Sequence, residues 1–180
     1  MRKNKVFTPP DNYDSGSYII DGVFPLNLFL AGTIDNGDSF NHQEALIEEL
    51  NSEDTNHPIM IYNPRRKEWN KNASKEEMDE QINWELYHLN RADLIVMNIL
   101  PNSKSPISLM EIGLFARDKK MIVFCNENFY RYENVKVVCD KFGLPLFNTN
   151  DILVIKNEVL KYASFDKNHV FKSYGNRILE

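Results

Sequence analysis

Only two cysteines occur in this chain, Cys125 and Cys139, too few for a disulfide framework. Neither stands in a CxxC or CxxxH spacing, so free core thiols fit better than zinc ligands. The four histidines, His42, His57, His88 and His169, form no metal spacing and no triad pattern. No serine sits in a GxSxG elbow. Apolar runs are short, and none approaches the roughly 20 residues that span a bilayer. The basic start, Met1 to Lys5, is followed by no apolar stretch of the kind a signal peptide needs. Positive charge is also scarce: Lys and Arg total 21 against 26 Asp and Glu, a net charge of −5. A protein that coats nucleic acid needs the opposite balance. These absences predict a soluble, cytoplasmic protein with no metal, no membrane and no nucleic-acid polymer among its partners.

What is present reads as one ordinary domain. The 180 residues, 42% of them hydrophobic, are enough for a sizeable core. Residues 1 to 25 carry Thr8-Pro9-Pro10, Asp14-Ser15-Gly16-Ser17 and Phe24-Pro25, all turn formers, and predict an irregular arm. Residues 26 to 163 alternate short apolar runs with helical periods, and a polar tail follows from 164 to 180. Strands are expected at Leu26 to Ala31, Ile59 to Tyr62, Asp93 to Leu100 and Met121 to Cys125, with a short fifth near Leu146. Helices are expected over Phe40 to Leu50, Lys75 to Asn90, Ser105 to Arg117, Val135 to Phe142 and Asp151 to Tyr162. The second has Ser74 as a possible cap and apolar positions Met78, Ile82, Leu86 and Leu89 at spacings of three and four. The fourth is closed by Gly143. This alternation predicts a doubly wound, five-stranded parallel sheet in three α/β/α layers. Ligands of such sheets lie beyond the carboxyl ends of the strands, where strand order reverses. The loops after Ala31, Tyr62, Leu100 and Cys125 are therefore the ones to inspect.

The loop after the first strand has glycines only at 32 and 37, so it lacks the GxGxxG and P-loop fingerprints. Gly32 either allows close backbone approach to a ligand or makes a plain turn. The stretch Ser105-Pro106-Ile107-Ser108-Leu109-Met110-Glu111-Ile112-Gly113 says more. Glu111 lies in the first turns of a predicted helix among apolar neighbours, an expensive place for an unpartnered carboxylate. Its plain alternative is an acid favoured by the helix macrodipole. Gln81 and Glu85 share one helix face, so Glu85 offers a second carboxylate or simply a solvated charge. Trp84 and Tyr87 suit either the core or a wall against which a base stacks. Arg65 and Arg66 with Trp69 suit a phosphate or a base, or an exposed basic loop.

The segments Leu28 to Ile34, Tyr62-Asn63-Pro64-Arg65-Arg66, Glu80 to Leu86, Ala92-Asp93 and Ser105 to Gly113 resemble the nucleoside 2-deoxyribosyltransferase-like superfamily. The similarity is to its bacterial and phage branch with NPRR and SPISLxExG motifs, and covers roughly residues 26 to 147. The resemblance implies a flavodoxin-like fold, no cofactor and a double displacement. A glutamate in the position of Glu111 attacks the anomeric carbon of a nucleoside and forms a glycosyl ester, which a second base or water then resolves. Protonation of the leaving base needs a second acid, and Glu85 falls where the family places one.

Two positions depart from the family pattern. A tyrosine that contacts the nucleophile is replaced by Phe29, and an aspartate near the base by Ser105. Both changes bear on the substrate more than on the reaction type. The resemblance and the loops at the sheet edge together mark Phe29, Gly32, Thr33, Asp35, Asn63, Arg65, Gln81, Ser105, Ser108 and Asn134 as substrate-binding. Asn134 takes the place of a polar residue that a neighbouring subunit supplies, which implies a homo-oligomer with shared active sites. Arg65 and Arg66 open a nucleoside 5′-monophosphate hydrolase as an alternative. The two departures motivate another, a non-catalytic module that binds a nucleotide signal.

Overall fold

The computed structural model describes residues 4–11, 24–53, 57–66 and 72–164. Six parallel strands form one open sheet: β1 (Lys5–Phe7), β2 (Leu26–Gly32), β3 (Ile59–Tyr62), β4 (Leu94–Ile99), β5 (Met121–Cys125) and β6 (Leu146–Phe147), in the order β1-β3-β2-β4-β5-β6. Five α-helices connect or follow them: α1 (His42–Asn51), α2 (Lys75–Arg91), α3 (Pro106–Phe115), α4 (Tyr132–Phe142) and α5 (Ile152–Ser164). The chain moves outward from β2 to β3, then crosses back over β2 to reach β4. Strand order therefore reverses between β2 and β4, which places the crevice beyond Gly32 and Ile99.

The strands alternate strictly in which face they serve. Leu28, Leu30, Ile59, Ile61, Leu94, Val96, Ile122 and Phe124 pack with α1 and α5. Phe29, Ala31, Met60, Tyr62, Ile95, Met97, Ile99 and Val123 pack with α2, α3 and α4. Both faces are covered, which is why β3 and β5 read as unbroken apolar runs and β4 as one interrupted only by Asn98. Each fully buried side chain of this kind stabilises the fold by roughly 1.5–3 kcal/mol. Among the described residues no helix is long and apolar enough to cross a membrane.

The doubly wound three-layer arrangement is as expected, but the sheet has six strands rather than five. The additional strand lies in the segment expected to be irregular. Lys5, Val6 and Phe7 pair with Met60, Ile61 and Tyr62 at the sheet edge, and Phe7 stacks on Tyr62 at 5.6 Å between ring centroids. Three residues before a Pro-Pro turn are too few for any alternation to show in sequence.

Helix ends follow local chemistry. Ser74 caps α2 in a capping box with Glu77. Gly143, at φ 70°, closes α4. Of the four apolar positions read on α2, Leu89 is buried in the core, but Met78 and Ile82 are 52% and 51% exposed, and Leu86 is also exposed. Beside Leu89 the helix turns Trp84 and His88 inward. Trp84 is a core residue, in contact with the rings of Phe29, Tyr62 and His88, and its indole N–H donates to the Asp11 carbonyl.

Candidate active site

The crevice begins at Gly32, the last residue of β2. Its φ is +127°, and a Cβ there would lie 2.1 Å from the Asn98 carbonyl oxygen on β4. Only glycine lets the two strands come this close at this point. The next residue, Thr33, is buried, and its backbone N–H donates to that same carbonyl. Its hydroxyl lies 2.7 Å from the Ser105 hydroxyl and 3.1 Å from that of Ser103, which are themselves 2.7 Å apart. The Leu100 N–H donates to Thr33 Oγ1 as well. This triangle of hydroxyls ties the loop after β2 to the loop after β4.

Ser105 is the residue before α3 and has left-handed backbone angles, φ 45° and ψ 47°. Such a conformation costs a non-glycine residue roughly 1–2 kcal/mol, and the shared hydroxyls hold it there. The Ser105 side chain consequently does not cap the helix. Pro106 opens α3, a position that needs no N–H. Three and six residues beyond Ser105, Ser108 and Glu111 lie on the same helical face, both buried.

Glu111 stands in the second turn of α3, past the first turn in which a helix dipole acts, so that explanation of the residue fails. It is 7% exposed, and its carboxyl makes no hydrogen bond among the described residues. Burial, reinforced by the Glu85 carboxylate, pushes its pKa up to about 8. The Ser108 hydroxyl likewise has no partner among the described residues. Phe29, where the family pattern has a tyrosine, is fully buried beside Trp84 and brings no hydroxyl.

Glu85 projects from the middle of α2 and is held differently. Gln81 Nε2 donates to Glu85 Oε1 at 2.6 Å and to the Pro64 carbonyl at 2.9 Å. Gln81 Oε1 accepts from Arg66 Nε at 2.5 Å. Burial raises the pKa of Glu85, while the Gln81 hydrogen bond and the Arg66 charge work against that rise. The two acids therefore differ in kind: Glu85 has a donor and a nearby cation, and among the described residues Glu111 has neither.

The loop after β3 separates two arginines that look equivalent in sequence. Arg65 turns its Nη1 and Nη2 atoms to the Gly37, Ser39 and Phe40 carbonyls and the Ser39 hydroxyl, at 2.7 to 3.4 Å. It staples the turn around Asp35–Gly37, where Asp35, Asn36 and Gly37 all have positive φ, and Asp35 adds a charge interaction. Little of that guanidinium remains for a substrate. Arg66 keeps Nη2 buried and without a hydrogen-bond partner among the described residues. Trp69 lies outside the described residues.

Buried Asn63 accepts the Arg65 N–H at 3.0 Å and lines a cleft of ≈ 550 Å³ with Arg65, Arg66, Asn36 and Gly37. Asn134 is on α4 in a shallow groove with Leu109, Ile112 and Gly113. The structure thus gathers Thr33, Ser105, Ser108 and Glu111 along one loop and helix face, and Gln81 and Glu85 on a facing helix. Within one chain, Asn134 is on the far side of α3. Sequence reading missed Ser103, whose only signal is its Ser-x-Ser-Pro spacing, and His42. Burial lowers the pKa of His42 to about 4, so the neutral ring donates from Nε2 to the Thr33 carbonyl. Among the described residues no cluster of three or more His, Cys, Asp or Glu is placed to hold a metal.

An open, parallel, six-stranded sheet between two layers of helices, with its strand order reversing between β2 and β4, defines a class, the flavodoxin-like α/β fold. The family described as nucleoside 2-deoxyribosyltransferase like matches residues 25–129, more than half of the chain. The chain belongs to that family. No curated protein matches it.

Proposed function

We propose that this protein cleaves or exchanges the N-glycosidic bond of a nucleoside by double displacement, with Glu111 as nucleophile and Glu85 as acid and base. The observation that carries the reading is Glu111 itself, a buried carboxyl without a donor that faces a second carboxyl. A carboxylate stripped of water and hydrogen bonds is a strong nucleophile toward a carbon that gains positive charge. Across the neutral range such a pair holds one proton between them. Its transfer from Glu111 to Glu85 creates the nucleophile and the acid together.

In the first displacement the bond from C1′ to the base nitrogen breaks, a bond from C1′ to a Glu111 oxygen forms, and the base leaves with the Glu85 proton. In the second, an acceptor base or water attacks C1′, gives its proton to Glu85 and releases Glu111. The hydroxyls of Ser105 and Ser108 are on the Glu111 side of the crevice and suit sugar contacts. A nucleoside monophosphate is a second candidate substrate, favoured by Arg66 Nη2 and not by Arg65, whose donors are committed. Partial closure of the site by a second copy of the chain is part of the proposal. Support comes from the exposed apolar stripe of α2 and from Ile107, Met110 and Leu114 on α3, all more than half exposed.

A panel of nucleosides and their 5′-monophosphates, incubated with and without an acceptor base, tests the reading. A new nucleoside identifies a transferase, and free sugar alone identifies a hydrolase. Intact-protein mass spectrometry should show a pentosyl adduct that Glu111→Gln abolishes, and Glu111→Ala should lose roughly 10³-fold or more of the rate. If wild type and Glu111→Ala bind nucleoside equally and neither releases base, the protein is a binding module and not an enzyme.

A further inference from the structure

Gln81 has a complete and unambiguous set of partners. Arg66 Nε can only donate, so Gln81 must turn its oxygen toward it. The Pro64 carbonyl can only accept, and the Gln81 NH₂ group meets it. With the amide fixed at both ends, its remaining N–H points at Glu85 Oε1. Glu85 Oε2 makes no hydrogen bond among the described residues. An oxygen that accepts from an amide N–H is a poor place for a proton, whereas its free twin is open to one.

The geometry points to Gln81 as a positioning residue for the acid: held by Arg66 and Pro64, it reserves Glu85 Oε1 as acceptor and makes Oε2 the oxygen that carries the proton to the leaving base. The inference rests on the reaction proposed above. It removes Gln81 from the residues that touch the substrate, since both its donors and its acceptor are engaged within the protein. The charged groups that act on Glu85 are Arg66, from the loop after β3, and Glu111, from α3. Arg66 acts on Glu85 both by fixing the Gln81 amide and by its own charge, so a change at Arg66 should cost at least as much as a change at Gln81.

The test compares two deoxynucleosides in wild type, Gln81→Leu and Arg66→Met. One is ordinary, and its base needs a proton to leave. The other is a 7-methylpurine deoxynucleoside, whose base is already cationic and leaves as a neutral molecule. A positioned general acid contributes on the order of 10²–10⁴-fold. Losing its orientation should therefore cost about 10–100-fold in kcat on the ordinary substrate. On the 7-methylpurine substrate kcat should stay within about threefold, with KM little changed on either. Equal losses on both substrates would reduce Gln81 to a packing role and overturn the proposal.

Carbon-13 NMR of the Glu85 carboxyl supplies a reading without turnover. Both variants remove an interaction that favours the ionised form, so the Glu85 titration should move to higher pH. An unchanged titration in folded variants sinks the inference. If wild type cleaves neither substrate, the enzymatic reading fails and the titration alone decides the role of Gln81. Because the two variants lie on different elements, misfolding of one leaves the other to decide.

Discussion

A carboxyl group that is 7% exposed and has no donor among the described residues keeps its charge only against a large solvation cost. For Glu111 that cost appears as a pKa pushed up to about 8, and it ties stability to pH. The unfolded chain releases this proton near pH 4.5, while the folded chain retains it to about pH 8. Over that window the unfolded state binds fewer protons, so the contribution is fully present below pH 4.5 and fades as pH rises through 8. Glu111→Gln removes the effect. The variant should match wild type near pH 4 and exceed it by about 4 kcal/mol at pH 8, one pH unit being worth about 1.4 kcal/mol. Denaturant melts at both values check this, and an equal difference at the two would show that burial does not govern Glu111. In the proposed reaction, catalysis and stability pull this residue in opposite directions, as they do at strained or desolvated sites generally.

Among the elements, the contact between β2 and β4 positions everything else. Gly32 and Asn98 are paired in the sheet, and the chains are too close there for any side chain at 32. Gly32→Ala must push the two strands apart and break the Thr33 contacts to Asn98 and Leu100. A loss of about 3 kcal/mol or more is expected, measurable as a fall in Tm of several degrees or as insoluble protein. An unchanged Tm would mean that the strand ends are free to shift. The same element shows where sequence reading succeeds and fails. Periodicity placed α2 correctly to within a residue at its far end, because Ser74 and Glu77 form a box that any such sequence forms. Periodicity gave only part of the buried face. Leu89 is a core position as its spacing suggests, whereas Met78, Ile82 and Leu86 are exposed, and Trp84 and His88 turn inward beside Leu89. That outcome turns Gln81 and Glu85 toward the site.

At the scale of the whole molecule, the apolar stripe that α2 shows to solvent calls for a partner. Contiguous exposed apolar patches mark interfaces more often than free surface, and a second copy of this chain with two-fold symmetry is the simplest occupant. Light scattering should find a dimer or larger assembly at micromolar concentration. A Met78→Glu, Ile82→Glu double variant should be monomeric. It should also lose activity on nucleosides, if the neighbour completes the site. A wild-type monomer, or an active monomeric variant, would remove the shared-site proposal.

Much of the site was legible from residue type and order. Glu111, Glu85, Ser105, Ser108 and the Gly32-Thr33 turn stand in segments that resemble one family, and strand alternation placed all but Glu85, which is on a helix, near the carboxyl edge. The roles within that set were not legible. Arg65 and Arg66 are adjacent and identical in chemistry, and only the fold commits one to loop carbonyls and the other to Gln81. Ser103 joined the hydroxyl triangle with only its Ser-x-Ser-Pro spacing to announce it.

The sequence by itself determined the layers, the strand ends and the candidate nucleophile, because periodicity, caps and motif order are local properties carried by neighbouring residues. The tertiary structure alone decided the sixth strand, the inward face of α2, the protonation balance of the two acids and the division of labour between the arginines. Those depend on distances between segments far apart in the chain, where burial and the few available hydrogen-bond partners fix each group's charge and direction.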